Sequence, residues 1–240
     1  MTPARAERER LRAGALQRKL NEEKFTEFRL ACGEGDGTAC NSLGEWWATM
    51  RGDYARSMAI FADNCAANGH ANSCFNAGLQ MSIGRGTKKD VPRAMLLFDK
   101  ACSAGNADAC AAAGRERIVA TSTPRDVDKG LQQLRLACAE EGQGSACSFL
   151  GSVLLSGKYG VPRDPAAAAG HLARACEEQA DTAACHNLSM QYMHGDGVEV
   201  DRVAARKYAT RMRELLQSQL GRKLPTPAPR PSPGAEGPGR

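Results

Sequence analysis

Apolar residues recur along this chain with helical spacing, each time beside a pair of cysteines. An apolar-periodic stretch runs into the first cysteine, and a turn with glycine or polar residues follows. A second helix is predicted to begin just before the second cysteine. In residues 101–110, for example, Gly105 and Asn106 form the turn between Cys102 and Cys110. Each cysteine pair is therefore predicted to span a tight αα-hairpin.

The second half of each unit is also regular. After the second cysteine a short helix rich in small residues is predicted, and a glycine-containing connection such as Gly84-Arg85-Gly86 ends it. An aspartate then precedes the next helix as a predicted N-cap, and proline occurs in the first turn, where a helix tolerates it. The predicted caps are Asp90, Asp164 and Asp201, and the prolines are Pro92 and Pro165. Residues 51–53 and 121–126 depart from the glycine pattern but remain turn-like.

The length of the unit predicts the architecture. The first cysteines of the five pairs follow one another at intervals of 33 to 38 residues, which is the length of a helix pair. The pairs are Cys32 with Cys40, Cys65 with Cys74, Cys102 with Cys110, Cys138 with Cys147, and Cys176 with Cys185. We therefore predict an all-α fold, a right-handed α-solenoid of about five helix pairs over residues 21–221.

Two interpretations of the cysteines remain open. Seven or eight residues separate the partners, and one structural disulfide in each hairpin would explain all ten cysteines at once. That interpretation requires an oxidising compartment. In the other interpretation the cysteines are reduced packing residues of a cytosolic or nuclear protein. Zinc sites favour cysteines two to four residues apart, so no metal site is predicted.

Positive charge is concentrated at the two ends of the chain. The formal net charge is +5, and residues 1–20 carry six Lys or Arg against two Glu. Residues 221–240 carry four Lys or Arg against one Glu, so the body between the ends is slightly acidic. This distribution disfavours nucleic-acid binding. Residues 1–20 are predicted to be a basic extension, and residues 222–240 a Pro-rich disordered tail.

The last predicted helix, at residues 202–220, is amphipathic. Its apolar side is predicted to consist of Val203, Tyr208, Met212, Leu215, Leu216 and Leu220. Basic residues fall largely on the other side, so the helix is either the cap of a solenoid or a helix that lies on a membrane surface. The cap is favoured because the apolar stripe continues the repeat. The sequence contains no stretch of about 18 apolar residues, so no membrane span is predicted. It also lacks the apolar region of a secretory signal near the N-terminus.

Candidate cofactor and anchor residues are few. The histidines are His70, His171, His186 and His194, and Met190 and Met193 lie near the last two. No Cys-x-x-Cys-His haem attachment site occurs, so surface or capping roles are favoured for the histidines, and haem binding is kept as the alternative. Trp46 and Trp47 are adjacent on a predicted helix. Either one of them faces outward as a binding anchor, or both pack under the N-terminal helix.

Signatures of catalysis are not found in the sequence. Ser-x-x-Lys, Gly-x-Ser-x-Gly, His-Glu-x-x-His and a phosphate-binding loop do not occur. Thiol–disulfide exchange by one cysteine pair is an alternative, although Cys-x-x-Cys spacing is lacking. We therefore expect a monomeric protein without catalytic residues that binds protein partners through the concave face of the solenoid.

The motifs resemble a known repeat family. Ala-Cys, a glycine turn, Cys, a small-residue helix, Gly-x-Gly-Val and Asp follow one another as in the Sel1-like repeat, a relative of the tetratricopeptide repeat. The resemblance covers about residues 25–220 and implies a cysteine-paired helical scaffold. Residues 184–189 and 195–198, followed by a long basic helix, are similar to the branch of this family that supports assembly of mitochondrial cytochrome c oxidase, respiratory complex IV.

That resemblance implies a compartment as well as a role. Members of this branch are soluble in the mitochondrial intermembrane space and are oxidised on import, which would reconcile paired cysteines with the lack of an export signal. A secreted protein, or a cytosolic one if the cysteines are reduced, remains the alternative. The basic start and the Pro-rich tail depart from the family pattern.

Overall fold

The computed structural model describes residues 3–120, 125–139 and 144–221, and within these ranges it contains helices and turns but no strand. The eleven α-helices of these ranges are α1 Pro3–Gly33, α2 Gly37–Trp46, α3 Tyr54–Asn68, α4 Ala71–Ile83, α5 Val91–Ser103, α6 Ala107–Val119, α7 Val127–Ala139, α8 Gly144–Ser156, α9 Pro165–Glu177, α10 Thr182–His194 and α11 Arg202–Leu220. The predicted all-α solenoid of helix pairs is confirmed.

Short polar side chains set the start of the helices. Asp90 accepts a hydrogen bond from the Arg93 N–H, and Asp164 accepts one from the Ala167 N–H. Asp201 accepts from two backbone N–H groups at the start of α11. These bonds satisfy backbone donors that have no partner within the helix, so the predicted caps are confirmed. Pro92 and Pro165 lie in the first turns of α5 and α9, also as predicted.

Glycines, which have no Cβ, allow the second helix of one hairpin to touch the first helix of the next. A Cβ on Gly78 of α4 would lie 2.8 Å from the Phe98 ring of α5. In the next pair, a Cβ on Gly114 would lie 2.7 Å from the carbonyl oxygen of Gly130. Since real Cβ atoms need more room than this, any larger residue would separate the helices. Close packing of α4 on α5 and of α6 on α7 therefore depends on these glycines.

The connections of the first pair differ from the others, as the sequence predicted. A π-helical turn at Trp47–Arg51 follows α2, and Gly52 adopts a left-handed conformation with φ of 66°. Asp53 then caps α3 by accepting from the Arg56 N–H. The turn at residues 121–124 and the Pro-rich segment 222–240 lie outside the described residues.

Both tryptophans pack against the N-terminal helix. The Phe25 ring of α1 lies 4.5 Å from the Trp46 ring and 5.7 Å from the Trp47 ring, measured between centroids. Arg51 stacks over Trp46 and Arg56 over Trp47, so both indoles are partly covered. The interpretation with two packed tryptophans is confirmed over that of a free anchor. Helix α1 runs through residue 20 without a break.

The last helix caps the solenoid, but its core face differs from the predicted stripe. Ala205 and Tyr208 are buried against α10, and the Tyr208 ring stacks on Tyr192 at 5.7 Å. Val203 is 77% exposed and Leu220 is also exposed, so the prediction that they belong to the apolar side is wrong. Val203 precedes Tyr208 by five residues, about 140° around the helix, which places it on the opposite face.

Candidate functional site

Five cysteine pairs lie at disulfide distance at the joints of the solenoid. Their Cα–Cα distances run from 4.5 Å in the first pair to 4.8 Å in the last. The bridges join α1 to α2, α3 to α4, α5 to α6, α7 to α8 and α9 to α10. No free cysteine occurs within the described residues.

Every cysteine singled out in the sequence lies beside the partner that its spacing predicts. The pairs are Cys32 with Cys40, Cys65 with Cys74, Cys102 with Cys110, Cys138 with Cys147, and Cys176 with Cys185. In each pair the first cysteine lies in the last turns of one helix and the second lies in the first turn of the next helix. The oxidation state of these pairs in the cell stays a prediction.

Local geometry explains why these positions meet. The N–H of Cys74 donates to the carbonyl oxygen of His70, the residue that caps α4, so the cysteine is held at the fourth position of its helix. Cys110 donates in the same way to Asn106, and the Asn106 side chain accepts from the Ala109 N–H. A capped helix start therefore presents the second cysteine to the preceding helix end.

The same arrangement recurs at both ends of the array. The N–H of Cys40 donates to the carbonyl oxygen of Asp36, and the N–H of Cys185 donates to that of Asp181. Both aspartates are also side-chain caps, of α2 and α10. Cys147 lies at the fourth position of α8 and is fully buried in the core. The second cysteine thus has an equivalent place in all five hairpins.

Most of the sulfur atoms are shielded from solvent. Both members of the second, fourth and fifth pairs are at most 3% exposed. Cys32 and Cys102 are partly exposed, whereas their partners Cys40 and Cys110 are buried. Since thiol–disulfide exchange requires a thiolate to reach a sulfur atom, the three buried bridges are inaccessible in the folded state. They serve as core residues as well as cross-links.

One bridge has a histidine beside it. The Nδ1 atom of His171 on α9 lies 3.5 Å from the Sγ atom of Cys138. Burial of the imidazole lowers the pKa of His171, and the positive charges of Arg135 and Arg174 lower it further. The neutral form of the ring is therefore favoured beside the bridge. The sequence does not predict this contact, because 33 residues separate the two side chains.

The other histidines have positions without a special environment. His70 caps α4, with its Nδ1 atom 3.4 Å from the Ser73 N–H. His186 and His194 are exposed on α10. Surface or capping roles are therefore found for these three, as favoured by the sequence. Two grooves on the surface, one between α2, α3 and α4 and the other beside α11, contain no histidine in their lining.

The first of these grooves lies between α2, α3 and α4. It has a volume of about 430 Å³ and is lined by Phe61 together with apolar and polar residues of the three helices. Leu79 and Ile83 of α4 are 44% and 54% exposed and form its apolar rim. Such exposed aliphatic side chains beside a concavity are typical of a protein-binding surface.

Polar residues form another wall of this groove. Glu45 of α2 accepts hydrogen bonds from Asn41 at 2.9 Å and from Asn76 at 3.4 Å. Asn41 in turn accepts from Ser73, which is fully buried. The carboxylate is thus held by a network that crosses from α2 to α4. A partner in the groove would meet both apolar side chains and a fixed negative charge.

The second groove lies at the far end of the solenoid. It has a volume of about 650 Å³ and is lined mainly by α11. Lys207 and the Tyr208 hydroxyl both donate to Glu177 of α9, at 3.0 Å and 2.7 Å. These hydrogen bonds lower the pKa of Glu177, and burial together with the same carboxylate raises the pKa of Tyr208. The groove is therefore bounded by polar contacts that hold α11 on α9.

A third polar group holds the middle of the solenoid together. Asp99 of α5 accepts from Arg117 of α6 at 2.6 Å, and from Lys129 and Gln133 of α7 at 3.1 Å and 2.8 Å. Burial by itself raises the pKa of Asp99, but the three hydrogen bonds outweigh it and hold the pKa below the usual value. One carboxylate thus links three successive helices.

Two other kinds of site are not found. Within the described parts of the chain no cluster of three or more His, Cys, Asp or Glu could hold a metal ion. The helices of these parts are all too short or too polar to cross a bilayer.

Comparison with protein families identifies the repeat. The Sel1 repeat family model matches residues 71–106, 144–179 and 182–215. These ranges coincide with α4 and α5, with α8 and α9, and with α10 and α11. This chain carries Sel1 repeats. Each matched unit begins three residues before the second cysteine of a pair, so the bridges lie at the boundaries between repeats.

Known proteins support the same assignment. The chain is 27% identical to "Cytochrome c oxidase assembly factor 7" of Xenopus tropicalis over 204 residues, which cover 82% of this chain and 87% of that protein. Its fold is similar to the crystal structure of a Sel1 repeat protein from Oxalobacter formigenes, with a TM-score of 0.64 and 23% identity over 74% of this chain and 72% of that chain.

A second solved structure has the same architecture. It is a protective antigen of uropathogenic Escherichia coli with an SLR fold, and it has a TM-score of 0.58 and 20% identity. The match covers 82% of this chain and 50% of that chain. At these identities the two structures establish the solenoid fold alone.

Proposed function

We propose that this protein is a non-enzymatic Sel1-repeat scaffold that supports assembly of cytochrome c oxidase by binding a protein partner. Its place of action is the mitochondrial intermembrane space, and it works as a monomer. The observation that carries the proposal is the groove between α2, α3 and α4, with exposed aliphatic side chains on a disulfide-linked framework. Solenoids typically bind partners through such extended surfaces.

The name of the relative supports the proposed role in assembly of cytochrome c oxidase. The similarity to the Xenopus assembly factor extends over most of both chains, so the resemblance concerns the whole array and not a single repeat. Five cysteine pairs at bonding distance are consistent with an oxidising compartment. A scaffold requires neither a catalytic nor a metal centre.

The groove is tested by charge introduction. In the double variant Leu79→Asp with Ile83→Asp, two carboxylates replace exposed aliphatic side chains, so partner binding is lost while the fold is retained. The matched control is Leu96→Asp on α5, because Leu96 is 69% exposed but does not line the groove. Cytochrome c oxidase activity is measured in cells that depend on the variant. Full activity of the double variant, or equal loss in the control, would contradict the proposal.

The compartment is tested separately. Alkylation of free thiols before cell lysis, followed by intact-mass analysis, counts the reduced cysteines in the cell. No free thiol among the ten cysteines is expected in the intermembrane space. Ten free thiols would place the protein in a reducing compartment and contradict the proposed site of action.

A second candidate function is thiol–disulfide exchange by Cys138 and Cys147. The specific observation in its favour is the His171 Nδ1 atom beside Cys138, since an imidazole can hydrogen-bond to a thiol that is released by reduction. Both cysteines are buried, however, so a partner thiolate could attack only after the hairpin opens. If Cys138→Ala combined with Cys147→Ala abolishes function without lowering the melting temperature, exchange is the function. Haem binding stays an alternative hypothesis, and the prediction remains that no cofactor is bound.

A further inference from the structure

Helix α10 differs from α4 in the chemistry of its exposed face. Met190 and Met193 are 43% and 42% exposed, and His194 is exposed beside them. At the same distances from the second cysteine, α4 has Leu79, Ser82 and Ile83. The repeat itself therefore does not require sulfur and nitrogen donors at these positions, and their concentration on α10 needs another explanation.

The three side chains are spaced so that they can converge on one atom. Met190, Met193 and His194 occupy positions i, i+3 and i+4 of the helix. Residues at these spacings are neighbours on a helix surface, with Cβ atoms about 5–6 Å apart. Both thioethers and the imidazole can therefore reach a common point above the last turn. His186, one turn before Met190, extends the same row.

The donor set selects a soft cation. Thioether sulfur is a soft ligand that suits Cu(I), and imidazole is a good copper ligand, whereas hard divalent ions prefer oxygen. Two sulfur atoms and one nitrogen match the low coordination number of a monovalent d¹⁰ ion. We propose that Met190, Met193 and His194 form a surface site for Cu(I). Such a site is independent of the proposed assembly function, because it requires only these side chains.

The helix end that presents the site is held in place. The Gln191 side chain donates to the carbonyl oxygens of Pro165 at 2.7 Å and Asp196 at 2.9 Å, which ties α10 to the start of α9 and to the following loop. The Tyr192 ring stacks on Tyr208 of α11. Among the described residues no side-chain hydrogen bond or ion pair engages His194, so its ring is available as a ligand.

The nearby charge does not oppose a cation. Arg163 reaches the loop that follows His194, but it donates to both carboxylate oxygens of Asp196, at 2.7 Å and 2.6 Å. Its positive charge is therefore compensated. The ten cysteines lie in bridges, so thiolates do not compete for the ion in the oxidised protein.

Competition with a chromophoric Cu(I) chelator tests the site. The oxidised chain is first alkylated, so that stray thiolates cannot bind, and is then titrated anaerobically with Cu(I) in the presence of bicinchoninate. One Cu(I) ion per chain is expected. Met190→Leu with Met193→Leu, and separately His194→Gln, should each weaken binding at least tenfold. The fold should be unchanged by far-UV circular dichroism, since Leu79 occupies the position in α4 that corresponds to Met190.

A control variant separates this site from general methionine binding. Met50→Leu removes an exposed methionine from the turn that follows α2, far along the chain from α10, and should leave the affinity unchanged. Ag(I) should bind with the same stoichiometry, and Zn(II) should not compete. The proposed site is wrong if the wild-type chain takes no Cu(I) from the chelator, if the double methionine variant keeps its affinity, or if Met50→Leu loses as much.

Discussion

Single residues at the joints of this molecule have two distinct roles. Some set the backbone, as Asp90 does when it caps α5, and others make room, as Gly78 does against Phe98. Gly86 combines both, since it has a φ of 73° and a Cβ there would overlap the carbonyl oxygen of Tyr54. The loop after α4 thus packs directly on the start of α3.

Gly86→Ala should therefore be much more harmful than another glycine substitution with a similar backbone conformation. Gly105 has a φ of 88° and nothing within 4 Å of a Cβ, so Gly105→Ala costs about 1 kcal/mol for the left-handed conformation alone. Gly86→Ala adds the clash and should cost about 3 kcal/mol or more. Urea unfolding measures both. Equal losses of stability would show that the loop moves freely away from Tyr54.

The neutral His171 makes stability depend on pH. Because burial lowers its pKa below the ordinary 6.5, the unfolded chain binds a proton that the folded chain does not. Its contribution is thus present above pH 6.5 and is lost as the pH falls below that value. His171→Asn should flatten the fall of the free energy of unfolding between about pH 7 and pH 5.

At the scale of helices, close packing within each Sel1 unit alternates along the chain with a disulfide bridge between units. Glycine-mediated contacts hold α4 on α5 within a repeat, and the bridge from Cys65 to Cys74 holds α3 on α4 between repeats. The sequence predicted the hairpin at each pair, but it did not assign the hairpin to the boundary between repeats. The residue ranges of the matched Sel1 units gave that assignment.

Cys65→Ala with Cys74→Ala should lower the free energy of unfolding by about 2–3 kcal/mol, because the bridge closes a short loop in the unfolded chain. The start of α4 keeps its cap, since His70 remains, so the folded structure should be unchanged by circular dichroism. Chemical denaturation of the oxidised proteins gives the difference. A loss below about 0.5 kcal/mol would mean that the bridge adds little to packing that is already rigid.

For the whole molecule, the described part of the chain behaves as a linear array in which each helix contacts mainly its neighbours. The ends should therefore respond to local changes independently. Both tryptophans of the chain lie at the N-terminal end of the array, where Phe25 covers them, so their fluorescence reports only that end.

Phe25→Ala removes two ring contacts and should destabilise the packing of α1 on α2 by about 2 kcal/mol. The expected signs are a red shift of tryptophan emission and early loss of that signal on heating, while the helical signal of the remaining repeats melts near the wild-type temperature. Leu11→Ala, at an exposed position of the same helix, should change neither. Simultaneous loss of both signals in Phe25→Ala would show that the array melts as one unit.

The sequence by itself determined the succession of helix pairs, the caps of α5, α9 and α11, the cysteine partners and the repeat length. Helix periodicity and capping depend on residues a few positions apart, and each cysteine lies only eight or nine positions from its partner. The sequence also predicted α11 with the observed bounds, yet it placed Val203 on the wrong side.

Only the tertiary structure decided which surfaces meet. It brought Phe25 onto both tryptophans, His171 onto Cys138, and Gln133 onto Asp99, over separations of 33 and 34 residues in the last two cases. It also left Leu79 and Ile83 exposed beside a groove, although they are as apolar as core residues. Such contacts depend on how each helix is rotated against its neighbours, and that rotation follows from packing the whole array rather than from any local pattern.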